Sequence, residues 1–530
     1  MAASDRTGPA AGDGGRLERL TAFLADPATH GLPADRMAGP IETHGAVVVL
    51  AGDRAYKIKK PVALPYMDLS TVAKRRRICR REVEINRRTA PELYLGVGAV
   101  TVGRDGRWRL RDPDAPRGEG ERPVEPVVVM QRFDGDCLFD RLAERGELTE
   151  ADLDRLASAV ARAHDDAPRR RRTPGSTLVG DVLAINRAGL QAGVPAVFAP
   201  EAAGALIERT EALAARLADR LDERGRRGRV RRCHGDLHLR NVFRGPDGQP
   251  VLFDALEFDE ELATVDVAYD LAFLLMDLLH RGLAEGANRV WNGWLAAARD
   301  DGAAEPLPLF LSMRAAVRAH VGATAATQHG LDRAGAEEAR RYLREAAAFL
   351  DDVPPAIVAI GGISGTGKTT LARALAPHLG RAPGAAVLRS DVIRKQRFGV
   401  PETEHLPQAA YQQSVSRRVM AEVHRRAGRI AGFGSAVIAD TVYGRPADRR
   451  GIAEAAARAG VPFHGVWLEL PAEQAKARVD ARKGDASDAT SQVVALQVDS
   501  VVPPTDWLRL DAGRPIGDLV DAVLEAVGTR

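Results

Sequence analysis

Residues 362–369 read GISGTGKT: a glycine, four residues, then Gly-Lys-Thr. An apolar, partly β-branched run, Ala356-Ile-Val-Ala-Ile360, precedes it, and a strong helix former, Thr370-Leu-Ala-Arg-Ala-Leu-Ala, follows. This order predicts strand, glycine loop and helix, the arrangement in which successive backbone N–H groups surround a phosphate at a helix N-terminus. Gly362, Gly365 and Gly367 permit the tight turn, and Ser364, Thr366 and Thr370 are further candidate contacts. Lys368 is expected to pair with the outer phosphates of a nucleotide, and Thr369 to offer its hydroxyl to magnesium.

The chain has 530 residues, too many for one core, so at least two domains are expected. Its 75 Lys and Arg nearly balance 72 Asp and Glu, leaving a net charge of +3. That balance supplies no general pull toward nucleic acid or anionic membrane, and neither is expected as a partner. Clusters such as Lys74–Arg77 and Arg169–Arg172 read as a solvated helix face and a loop. Three widely spaced cysteines, Cys79, Cys137 and Cys233, fit a reducing compartment and offer no paired-ligand pattern for zinc. Residues 1–15 read as a disordered lead-in without a signal peptide's apolar core. No apolar stretch reaches the ~20 residues that span a bilayer, so a cytoplasmic location is expected.

At Asp351-Asp-Val-Pro-Pro355 a helical pattern stops and a strand begins. We read 351–355 as a linker between a domain at 16–350 and another at 356–530. The second alternates strand candidates (385–389, 435–439, 462–468, 507–510) with amphipathic helices, predicting a parallel α/β sheet. The first is extended to about Gln131 and mostly helical from Thr149 to Leu350, predicting a small sheet-rich lobe and a larger helical one.

Residues 234–241 read HGDLHLRN, and Val251-Leu-Phe-Asp254 follows. An Asp in a loop, an Asn five residues on and a second Asp after an apolar strand form a phosphoryl-transfer set. This segment is similar to the catalytic loop of aminoglycoside phosphotransferases and related small-molecule kinases, whose fold is that of protein kinases. The resemblance implies that Asp236 is the catalytic Asp, that Asn241 and Asp254 are metal ligands, that His234 shapes the loop and that Asp266 and Asp270 are structural. Such a fold needs a strand lysine paired with a helix glutamate. In Arg54-Ala-Tyr-Lys-Ile-Lys59 both Lys57 and Lys59 face the cleft by alternation; the resemblance favours Lys57, with Glu82 or Glu84 as partner and Glu82 preferred. Where protein kinases carry a glycine-rich loop, this chain has Thr43-His-Gly-Ala-Val, with one glycine.

In the second domain Asp391 ends the second strand candidate, placed to orient or deprotonate an acceptor hydroxyl, with Arg394 one turn on to hold the acceptor. Asp440 ends the apolar run Val437-Ile-Ala and is expected to orient magnesium or its water shell. Arg445 and Arg449 follow at the spacing of one helix face. Arg478 and Arg482, one turn apart beside Lys483-Gly-Asp-Ala-Ser-Asp488, suit a mobile lid over a triphosphate. This half resembles P-loop kinases of the gluconate kinase, chloramphenicol phosphotransferase and zeta toxin type, and the whole chain resembles bacterial bifunctional proteins that fuse the two kinds of domain. The resemblance implies ATP and Mg2+ as cofactors and transfer of the γ-phosphoryl group to hydroxyls of small polar acceptors at two sites. A regulatory kinase-like sensor domain controlling a P-loop ATPase or kinase is the other reading. Acceptor identity and oligomeric state stay open.

Overall fold

The computed structural model describes residues 13–43, 45–64, 67–116, 118–170, 173–328, 330–481 and 486–528. They form two compact units. One takes the chain up to Arg155 with Arg162–Arg170 and Val230–Asp270, and the other takes Leu156–Ala161, Arg171–Arg229 and Leu271–Arg530.

In the first unit, alternating apolar residues build an antiparallel sheet. Helix α1 (Asp13–Ala25), which already includes residues 13–15 of the expected lead-in, is followed by β1 (Met37–Glu42), β2 (Ala46–Ala51) and β3 (Arg54–Lys59). Helix α2 (Val72–Asn86) precedes β4 (Tyr94–Val102), β5 (Trp108–Arg111) and β6 (Arg122–Gln131), and the strand order is β1-β2-β3-β6-β4-β5. Val47, Val49, Tyr56, Ile58, Val127 and Val129 bury one face against Leu20 and Leu24 of α1. The intervening residues Ala55, Val128 and Met130 bury the other face with Cys79 and Val83 of α2. The period of two therefore sends Lys57 and Lys59 to the α2 side, away from Tyr56 and Ile58. Farther on, short ladders pair β7 (Val230–Arg232) with β10 (Thr264–Asp266) and β8 (Val242–Arg244) with β9 (Pro250–Leu252).

The second unit holds helices α3 (Gly175–Ala192), α4 (Pro200–Arg226), α5 (Ala284–Ala298), α6 (Leu307–Thr327) and α7 (Arg333–Ala348), followed by the P-loop half. There β11 (Ile357–Gly361), β12 (Ala386–Arg389), β13 (Val437–Asp440), β14 (Phe463–Glu469) and β15 (Leu508–Asp511) form an all-parallel sheet in the order β12-β13-β11-β14-β15. All five lie within two residues of the predicted strands. They alternate with α8 (Lys368–Leu375), α9 (Ser390–Phe398), α10 (Gln413–Gly432), α11 (Pro446–Ala459), the pair α12 (Ala472–Asp480) and α13 (Ser491–Ser500), and α14 (Ile516–Val527). Val358, Ile360, Ile438, Val466 and Leu468 pack with Leu371, Leu375, Val523 and Leu524 in the core of this half.

Residues on both sides of 351–355 lie in this second unit. Asn288 Nδ2 on α5 donates to Pro383 O and Ala385 O at 3.1 Å each, Asn292 Nδ2 donates to Ala385 O at 3.1 Å, and Val387 N–H donates to Asn292 Oδ1 at 2.7 Å. Arg426 on α10 holds Asp301 in a buried pair at 2.7 Å. Among the described residues no helix is long and apolar enough to cross a membrane.

Candidate active sites

In the first unit, Thr71 caps α2 by accepting the Lys74 N–H, which fixes the phase that turns Glu82 inward, fully buried. Glu84, two residues on, faces solvent and meets Arg81 instead. Lys57 Nζ lies 2.7 Å from Glu82 Oε1 and 2.6 Å from Asp254 Oδ1. Lys59 Nζ lies 2.7 Å from Glu82 Oε2 and 2.5 Å from Glu257 Oε1. The five groups alternate in charge as Asp254, Lys57, Glu82, Lys59 and Glu257. Burial disfavours a charged Lys57, but Asp254 and Glu82 outweigh it and hold its pKa well above the ordinary value. Against desolvation, Lys57 in turn keeps Asp254 below the usual carboxylate range.

Asp254 stands at φ 58 with its side chain 41% exposed, its N–H donating to the Tyr94 hydroxyl at 3.2 Å. The neighbouring Ala255 N–H donates to Asn86 Oδ1 at 2.8 Å, so the C-terminal turn of α2 carries both Glu82 and the anchor of the Asp254 segment. The HGD turn is fixed from the other side. His234 N–H and Gly235 N–H donate to the two oxygens of fully buried Asp270 at 3.2 and 2.8 Å. Gly235 has φ +85, and a Cβ there would meet Leu256 Cβ at 3.0 Å and Ala263 Cβ at 3.1 Å, so only glycine fits. Backbone bonds from Phe253 N–H to Asn241 O and from Leu256 N–H to His234 O, at 3.0 and 2.9 Å, bind the two segments together. Asn241 Nδ2 donates to Asp236 O at 2.9 Å and to Asp236 Oδ2 at 3.1 Å, which orients the amide with Oδ1 as the oxygen left for a cation. Asp236, Asn241, Asp254, Lys57 and Glu82 thus come together as one site. Asp266 caps the following helix through the Ala268 N–H at 2.8 Å.

The fold also gathers His164, Cys233 and Asp270, their candidate ligand atoms within 4.8 Å of one another. These groups engage the protein itself: His164 Nε2 and Asp270 Oδ2 are 3.1 Å apart, and Cys233 Sγ donates to Val265 O at 3.6 Å.

In the second unit the loop 362–369 leaves the central strand β11 and enters α8. Gly362, Gly365 and Gly367 have φ of +139, +87 and +89, and a Cβ on Gly365 would lie 2.3 Å from Ala475 O of α12. Lys368 Nζ donates to Ile363 O at 2.8 Å, and Thr369 Oγ1 donates to Asp440 Oδ2 at 2.6 Å. Thr366 Oγ1 also donates to Ile363 O, at 2.9 Å, Ser364 is buried, and Thr370 is exposed on α8. The direct Thr369–Asp440 contact places one hydroxyl and one carboxylate of different elements where an oxygen-seeking cation finds both.

Asp391, in the first turn of α9, has its pKa raised by burial and then by the charge of Asp440. Arg394 turns toward the 410–416 segment: it donates to Ala410 O at 2.7 Å and Ser416 Oγ at 3.3 Å, with its guanidinium 4.9 Å from the Tyr411 ring centre. Arg445 is the N-cap residue of α11 and pairs with Asp448 at 2.8 Å, while Arg449, one turn on, donates to Val502 O at 3.2 Å. Arg478 on α12 donates to Ala512 O at 3.2 Å, and its Nη1 would be 3.7 Å from a Cβ on Gly367. Arg482 lies outside the described residues. Asp488 accepts from Lys395 at 2.7 Å and from Leu406 N–H at 3.0 Å, and bonds the Tyr411 hydroxyl.

Three groups escaped the sequence reading. Glu257 and the Lys59–Glu82 contact carry no motif of their own, although alternation had left Lys59 open. Gln497, whose Oε1 accepts the Ser364 N–H at 2.7 Å, gives no local signal at all.

Residues 99–307 match the phosphotransferase enzyme family, and residues 357–504 match an AAA domain family. Uncharacterized protein Rv2004c of Mycobacterium tuberculosis is 33% identical over 469 residues, 86% of this chain and 88% of that one, and a protein of Mycobacterium bovis matches equally. The chain belongs to their family. This chain couples an aminoglycoside phosphotransferase-like region of protein-kinase-like fold to a P-loop kinase-like region. Among solved structures, a gluconokinase from Sinorhizobium meliloti 1021 is 20% identical over 33% of this family member and 93% of its own chain, with a TM-score of 0.25. A choline/ethanolamine kinase family protein from Mesorhizobium loti is 15% identical over 63% and 95%, with a TM-score of 0.39.

Proposed function

We propose that the chain is a phosphotransferase with two ATP·Mg2+ sites, each passing the γ-phosphoryl group to a hydroxyl of a small polar acceptor. The observation that carries this reading is Lys57 clamped between Glu82 and Asp254 beside the Asp236–Asn241 pair, because a kinase-like domain that had lost catalysis has no need of all five. The donor sets suit a hard divalent ion: Asp254 with Asn241 Oδ1 in the first site, Thr369 with Asp440 in the second. When bound, Mg2+ supplies charge neutralisation on the phosphates.

In this reading Lys57 grips the phosphates at the first site while Asp236 accepts or orients the acceptor's hydroxyl proton. Asn241 keeps the Asp236 carboxylate in one rotamer. At the second site the loop N–H groups and Lys368 hold the phosphates, Asp391 faces the acceptor hydroxyl and Arg478 closes over the loop. Arg394 contributes by fixing the 410–416 segment beside Asp391. Both sites work chiefly by position and charge, since phosphoryl transfer asks for little covalent chemistry from the protein. The acceptors are expected to be small and soluble, with neither nucleic acid nor membrane as partner.

The test is ATP turnover by the wild type, Asp236→Ala, Lys368→Ala and the double variant across sugars, aminoglycosides and nucleosides. Acceptor-stimulated turnover should divide into one part lost with Asp236 and another lost with Lys368. If neither variant changes the phosphorylated products of an untargeted metabolite mixture, the two-site reading fails.

A further inference from the structure

One peptide unit of the P-loop joins two side chains from opposite sides. The Ile363 carbonyl accepts from Lys368 Nζ at 2.8 Å, and the N–H of the same peptide, that of Ser364, donates to Gln497 Oε1 at 2.7 Å. A peptide is planar and stiff, so its two ends cannot turn independently, and a donor at one end strengthens the acceptor's hold at the other. Gln497 belongs to α13, and α12–α13 rest on a small cluster of their own, Ala475, Val479 and Val494, against which the Ile363 side chain packs. Val494 is the one buried residue of α13, while Leu496 is 69% exposed, so burial alone holds this helix weakly. The Gln497 bond is thus a polar tie between α13 and the loop, made at the peptide that also receives the phosphate-pairing lysine.

Resting on the second site's reading as a nucleotide site, we propose that Gln497 is a positioning residue for the outermost phosphate. It sets where Lys368 stands, through the Ile363–Ser364 peptide, and seats α13 over the loop. Lys368 pairs with the outer phosphates of a P-loop nucleotide. Because its Nζ lies on the Ile363 carbonyl, the adjoining Ser364 amide and Gln497 belong to that end of the site. A triphosphate should therefore sense residue 497 more than a diphosphate does.

The experiment is calorimetric titration of the full chain carrying Asp254→Asn, which disables the first site, with Mg·ATP and with Mg·ADP. Lys368→Ala in this background must abolish binding; if it does not, the nucleotide reading of the second site fails, and this inference with it. With that control met, Gln497→Ala should weaken ATP by about tenfold and ADP by less than about threefold. Gln497→Glu separates the proposal from a plain tether. Glutamate still accepts the Ser364 N–H, so a tether would be rescued, whereas a carboxylate beside the outermost phosphate should weaken ATP more than alanine does. The proposal is overturned if Glu restores wild-type binding, if both variants weaken ATP and ADP alike, or if Gln497→Ala leaves ATP binding unchanged.

Discussion

Lys59 Nζ sits 2.7 Å from Glu82 Oε2, on the opposite oxygen of the carboxylate that Lys57 approaches at 2.7 Å. The two lysines nevertheless have different second partners, Asp254 for Lys57 and Glu257 for Lys59. Lys57→Met leaves Glu82 paired with Lys59, so the fold should persist while turnover at the first site falls by about 10²–10³-fold. Lys59→Met strands buried Glu257 and should cost about 3–5 kcal/mol, read as a lower denaturant midpoint. Comparable losses of activity at unchanged stability in both variants would refute this division of labour.

Thr369 and Asp440 share one hydrogen bond across two elements of the P-loop half. Thr369→Ala and Asp440→Asn should each raise the Mg2+ concentration needed for half-maximal turnover at the second site and lower the maximal rate by about 10²-fold. A magnesium titration at saturating ATP, in an Asp236→Ala background, checks both effects.

His320 on α6 has its pKa lowered to about 4 by burial alone, from 6.5. Between those values the unfolded chain takes up a proton that the folded chain refuses, so protonation favours unfolding. Stability is full above about pH 6.5 and declines as pH falls toward 4, by up to about 3 kcal/mol from this group. Urea unfolding at pH 7 and pH 4.5 should show a smaller difference for His320→Gln than for the wild type.

The buried pair Arg426–Asp301 is another place where one deletion is worse than two. Arg426→Leu should destabilise by about 3–5 kcal/mol because Asp301 is left charged in the interior, and Asp301→Leu added to it should recover part of that loss. A double-mutant cycle by chemical denaturation measures the coupling.

Much of the P-loop half was legible because its central strands Ile357–Gly361 and Val437–Asp440 are short continuous apolar runs, closed by a glycine and an Asp, and helix-forming stretches alternate with the remaining strands. The first site was legible wherever residues close in sequence carry the chemistry, as with Asp236, Asn241 and Asp254. Glu82 could be preferred to Glu84 but not decided, since the choice depends on the phase of α2, which the Thr71 cap fixes. Partners from distant segments left no trace: Glu257 belongs to Lys59 across 198 positions and Gln497 to Ser364 across 133. Arg394 sits at the expected spacing from Asp391, yet Tyr411 and Ala410 O claim it, because a buried guanidinium seeks an aromatic face and carbonyls wherever the fold supplies them.

The asparagines of α5 have a practical consequence. Two carboxamides one helical turn apart stand about 6 Å from each other along the axis, near the ~6.6 Å repeat of a strand, and each offers the donor and acceptor of a peptide. On the outer edge of β12 they serve as a surrogate sixth strand, contributed by residues that precede the P-loop half. A fragment begun at residue 356 would present Ala385 O and Val387 N–H as an open edge, ready to recruit a strand from another copy. The usable P-loop fragment therefore starts upstream of Asn288, and one cut at the proline pair should aggregate where the longer one stays monodisperse.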